Sequence, residues 1–102
     1  MLLESLTGIG EWTEEKHGEK GEDKLYKAPG GKVFLVERPK TLEVRTDHRL
    51  AEMLREKYES VMESRYFGRG GIEIVPSGQL DEAEIEDLVR LSYNLSKGSK
   101  SE

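Results

Sequence analysis

The chain contains no cysteine, which excludes a disulfide framework, a thiol nucleophile and any thiolate-held metal. Histidine is nearly as scarce. His17 and His48 are the two present, with no HExxH or HxxxH spacing to hold a transition metal. The Glu-rich stretch around His17 also lacks the ligand spacing of a calcium loop. The longest unbroken apolar run is Val33 to Val36, far short of the ~20 residues that a membrane span needs. Met1 to Leu6 has no basic residue and includes Glu4, so no secretory signal is expected. Phosphate-loop, dinucleotide-loop and GxSxG spacings are all missing, and Ser60, Ser64 and Ser77 have no histidine beside them. The expectation is a soluble cytoplasmic protein that is no enzyme and takes no cofactor, no metal and no membrane.

What is present is charge. Sixteen basic and 21 acidic residues among 102 give a formal net charge of −5. The acidic excess lies in residues 1–23 and 81–102, whereas residues 24–80 are net basic. An acidic chain repels polyanions at long range, yet a basic face on it can still bind them locally. Leu, Ile, Val and Phe make up about 24 % of the chain, above the ~20 % below which charged chains tend to stay disordered. A small, thin core is expected.

The pattern predicts a short N-terminal helix (Leu2, Leu3, Leu6, Ile9) and a flexible acidic loop within 1–23, a single α+β domain over 24–98, and a frayed tail over 99–102. Leu25-Tyr26-Lys27, Val33 to Val36 and Thr41 to Arg45 read as a three-strand meander, with Leu42 and Val44 inward and Thr41, Glu43 and Arg45 outward. Leu50, Met53, Leu54, Tyr58, Val61 and Met62 form one helical stripe behind a Thr46 or Asp47 cap. Ile72 to Val75 gives a fourth strand. Asp81 with Glu84 resembles a capping box, opening a last helix on Ile85, Leu88, Val89, Ser92 and Leu95. The fold class expected is a two-layer α+β sandwich, an antiparallel sheet of about four strands on two main helices.

Three stretches resemble the MmcQ/YjbR-like family of small bacterial α+β proteins. They are Gly30-Gly31-Lys32-Val33-Phe34, the helix at Ala51 to Arg55 leading to Arg65-Tyr66-Phe67-Gly68-Arg69, and Gly71 to Val75 followed by Leu80-Asp81 and Ser92-Tyr93. The resemblance implies a secretion-chaperone-like or frataxin-like two-layer fold, no established catalytic activity, and a DNA-binding surface made from hairpin loops. Where the family usually has tryptophan after Gly70-Gly71, this chain has Ile72.

The candidate site follows from fixed positive charge, flat rings and close backbone approach, the combination a nucleic acid needs. Arg65-Tyr66-Phe67-Gly68-Arg69-Gly70-Gly71 offers all three, with a glycine-rich backbone able to form an anion-holding nest. Lys32 and the Arg38-Pro39-Lys40 turn would be wing tips, with Arg45 beside them. The nucleic-acid-binding set is therefore Lys32, Arg38, Lys40, Arg45, Arg65, Tyr66 and Arg69. Against it stand ordinary alternatives: Tyr66 and Phe67 sealing the core, and lysines guarding a sheet edge. A protein partner is the competing expectation, either as a homodimer or as a peptide on the sheet face.

Overall fold

A computed structural model describes residues 9–97. Six strands and two helices follow in chain order: β1 (Thr13–His17), β2 (Asp23–Lys27), β3 (Val33–Glu37), β4 (Leu42–Arg45), α1 (His48–Lys57), β5 (Val61–Ser64), β6 (Gly68–Ile74) and α2 (Glu82–Lys97). All neighbours in the sheet are antiparallel, in the order β1-β2-β3-β4-β6-β5. The expected sheet of about four strands is thus corrected to six. The N-terminal helix expected on Leu2, Leu3 and Leu6, and the tail over 99–102, lie outside the described residues.

Both extra strands formed where the residues gave a different signal. The stretch read as a flexible acidic loop contains β1, whose five residues are all exposed and whose register against β2 runs from Thr13↔Lys27 to His17↔Asp23. Backbone pairing holds it, not burial. At the other edge, Val61 and Met62 continue the helical stripe of α1 only by coincidence of spacing. α1 stops at Lys57, and Tyr58 is already extended. Ser60 is then drawn to the β6–α2 connection: its carbonyl accepts from Val75 N at 3.1 Å, and its N–H donates to Gln79 Oε1 at 3.1 Å.

Both helices cover one face of the sheet. Their buried residues Ala51, Ile85, Val89 and Tyr93 join Tyr26, Phe34, Leu35, Val44, Ile72 and Ile74 in one core cluster. A bulge explains why β3 reads as an unbroken apolar run. Tyr26 pairs with Leu35 and Lys27 with Val33, leaving Phe34 as the extra residue. Phe34 and Leu35 therefore both face the helices, and Phe34 meets the Tyr93 ring edge-on at 5.0 Å. Val33 and Val36 point to the opposite face. Burying a ring of that size contributes about 1.5–3 kcal/mol. Asp47 caps α1 by accepting from Leu50 N at 2.7 Å. The Asp81–Glu84 capping box forms reciprocally, at 3.0 and 2.8 Å.

Candidate functional site

Strand alternation sends Leu25, Val36, Glu43, Glu73 and Met62 to the face without helices. Glu43 and Glu73 are direct cross-strand partners there. Two like charges so placed repel, so cations and donors must satisfy them. Glu43 has no exposed surface (0 %) and Glu73 only 4 %. Outward-facing Glu43 is thus buried, because the β5–β6 turn folds over it.

Glu43 accepts from Arg38 Nε, from Ser64 Oγ at 2.7 Å and from Tyr66 N at 2.8 Å. Arg38 also donates from Nη1 to Asp23 Oδ2 at 3.0 Å. Glu73 takes a bidentate pair from Arg65, at 3.0 and 2.6 Å, and a hydrogen bond from Thr41 Oγ1 at 2.7 Å. The Arg65 hydrogen bonds hold the Glu73 carboxyl below its ordinary range, against burial, and Glu73 in turn raises Arg65. Ser64 Oγ accepts from Phe67 N at 2.7 Å and from Tyr66 N at 3.1 Å. Phe67 then packs on Leu25, Val33 and Val36. Gly71 permits this closeness, since a Cβ there would lie 2.5 Å from Phe67 Cβ and 2.6 Å from Val44 O.

The expected anion nest in the Arg65–Gly71 segment therefore has an internal occupant. Tyr66 N–H and the Ser64 hydroxyl point at the chain's own Glu43. Arg38 and Arg65 are engaged with carboxylates, while Arg45 donates to Ser96 Oγ and to Val33 O, both at 3.1 Å, and lies 4.9 Å over the Phe67 ring. Each oxygen of Glu43 and Glu73 has a donor, so the cluster works as a clamp on the turn. Among the described residues, no group of three or more metal-ligating side chains comes together.

The remaining candidates are exposed but separated. β3 starts next to Lys32 and ends next to Arg38, so Lys32 and Lys40 lie at opposite ends of a strand about 17 Å long. Tracing the antiparallel strands sorts every connection to one end or the other. The segments 10–12, 28–32, 46–47 and 65–67 share the Lys32 end, where β4 delivers Arg45, β6 has Arg69 as its second residue, α1 has Arg49 as its second residue and α2 finishes at Lys97. Carboxylates in these segments are Glu11 and Asp47, and Asp47 caps α1. The opposite connections, 18–22, 38–41, 58–60 and 75–81, carry Glu19, Glu22, Glu59 and Asp81 beside Lys20, Arg38 and Lys40. The adjoining strands add Glu14, Glu15 and Glu63 at this end, ion-paired to Lys24, Lys27 and Arg55 respectively, which leaves it the more basic of the two ends. Arg49 and Lys97 were missed in the sequence because only the strand order and helix direction bring them to the same end of the sheet as Lys32 and Arg69.

The fold is a small α+β one, and two solved structures share it. A Deinococcus radiodurans protein with a DUF419 domain superposes with a TM-score of 0.83 at 15 % identity, over 99 % of this chain and 80 % of that one. A Pseudomonas syringae protein gives 0.77 at 14 % identity, over 93 % and 95 %. No family model and no curated protein matches the chain in sequence. No helix among the described residues is long and apolar enough to cross a membrane.

Proposed function

We propose that the protein is a non-enzymatic, cytoplasmic binding domain of the MmcQ/YjbR type that holds a nucleic-acid backbone at the basic end of its sheet. The observation that carries this is the gathering of Lys32, Arg49, Arg69 and Lys97 at one end, where Glu11 is the one carboxylate of the connections not engaged in capping. Phosphates need fixed positive charge with little competing negative charge, and this end supplies it. The Arg38–Lys40 turn lies at the other end and takes no part. Arg65 acts on Glu73 and takes no part either.

Fluorescence anisotropy with a labelled oligonucleotide tests the reading. Binding at ~50 mM salt that weakens as salt rises is expected, with Lys32→Ala/Arg69→Ala reducing it and Lys40→Ala leaving it intact. No binding at low salt, or equal loss with Lys40→Ala, overturns it. A protein partner or second copy is the other reading. It draws on Met62 and Tyr66, 41 % and 47 % exposed on the face without helices, and sedimentation of the full chain against concentration reads self-association directly.

A further inference from the structure

At the basic end, the start of β1 and the β2–β3 turn line an open surface cavity of about 440 Å³ whose wall includes Glu11, Trp12, Thr13, Lys27, Ala28 and Pro29. That volume falls in the range of small-ligand sites. Two contacts anchor its Glu11–Trp12 side to the core. The Trp12 ring leans on Tyr26 with centroids 5.3 Å apart, and the Glu11 carbonyl accepts from Tyr93 Oη at 2.7 Å. Ala28 N donates to Lys32 O at 2.8 Å, which closes the turn and ties the cavity's wall to the lysine of the basic end.

Trp12 is only partly buried and is the single tryptophan of the chain. Trp12 gives this wall a flat aromatic ring of the kind bases stack on, and Pro29 adds apolar surface beside it. The charges around it are ordered as well. The Lys27 ammonium is engaged by Glu15 at 2.9 Å, and Glu11 repels phosphate from the cavity, so a strand's backbone belongs on the Lys32 and Arg69 side and its base on the Trp12 side. Such a base must be unpaired, since the rings of a duplex are stacked inside it. We propose that this cavity takes an unpaired nucleobase against Trp12, which makes the preferred nucleic acid single-stranded. The inference rests on the basic-end reading and adds the strandedness to it.

The single tryptophan makes a direct probe. The full chain is titrated with a short oligodeoxythymidine, with its duplex with oligodeoxyadenosine, and with inorganic tripolyphosphate, following Trp12 emission and, for the labelled nucleic acids, anisotropy. Expected are quenching by the single strand alone and an affinity ~10-fold above the duplex, the scale of one stacked base. Trp12→Phe, which keeps a ring against Tyr26, retains most of the affinity, whereas Trp12→Ala loses ~10-fold if its circular dichroism matches the parent. Single-strand binding that depends on Lys32 and Arg69 but leaves Trp12 emission unchanged, or a duplex bound as tightly, overturns the inference and leaves the basic end standing. No binding of any probe removes both.

Discussion

Glu43 has no contact with water and three donors around it, so its loss affects more than one side chain. Glu43→Ala takes the acceptor from the Ser64 hydroxyl, leaves Tyr66 N–H with only its longer bond to Ser64 Oγ, and leaves Arg38 with Asp23 as its one carboxylate. Each buried donor left unsatisfied in this way costs about 1–3 kcal/mol. Glu43→Gln keeps one acceptor oxygen and is expected to cost less; urea unfolding of both variants gives the comparison, and equal losses would show that charge alone matters. The pattern Thr41-Leu42-Glu43-Val44-Arg45 made the strand and its inward residues legible. It did not show that the outward face is covered, because the cover comes from residues 65–67, far along the chain. Glu73 adds a pH dependence of definite sign. Its folded pKa lies below the ordinary 4.5, chiefly through the Arg65 hydrogen bonds. The stability it contributes is therefore fully present above that ordinary value and is lost as pH falls through the lower folded one. Glu73→Gln is expected to flatten this acid limb in a series of melting curves against pH; an unchanged limb would assign it to other carboxylates.

At the scale of elements, legibility followed burial. β2, β3, β4 and the α2 capping box were readable because apolar period and cap chemistry agreed there. β1 was not, since Thr13–His17 has no apolar side chain to show a period and is held by one neighbour only. β5 was hidden for the opposite reason: Val61 and Met62 fit a helical period that tertiary hydrogen bonds to Ser60 override. The same difference sets local stability. A strand with no buried side chain opens at little cost, while one packed on both sides opens only with the whole molecule. Amide exchange is expected to be fastest in β1 among the six strands and slowest in β3 and β4, whose Val36, Glu43 and Val44 are fully enclosed. Protection in β1 equal to that in β3 would mean its outer edge is covered in solution, as a homodimer through that edge requires.

For the whole molecule, the net charge of −5 conceals a polarity that runs along the strands. Dividing the sequence into three unequal segments located the basic excess in the middle of the chain, yet the topology splits that middle: Lys32, Arg45, Arg49 and Arg69 go to one end, Arg38 and Lys40 to the other. A one-dimensional charge count cannot report this, because antiparallel strands send successive connections to alternate ends. The consequence is quantitative. If Lys32, Arg49, Arg69 and Lys97 each meet one phosphate of a single strand, the logarithm of affinity should fall with the logarithm of salt at a slope of about 3. Each of Lys32→Ala and Arg69→Ala should lower that slope by about 0.7, while Lys40→Ala should leave it unchanged because its ammonium never approaches the strand. A slope indifferent to Lys32 and Arg69 would place the contacts elsewhere on the surface. A slope that responds equally to Lys40 would mean the polyanion senses only total charge, and the polarity of the sheet would then have no part in recognition.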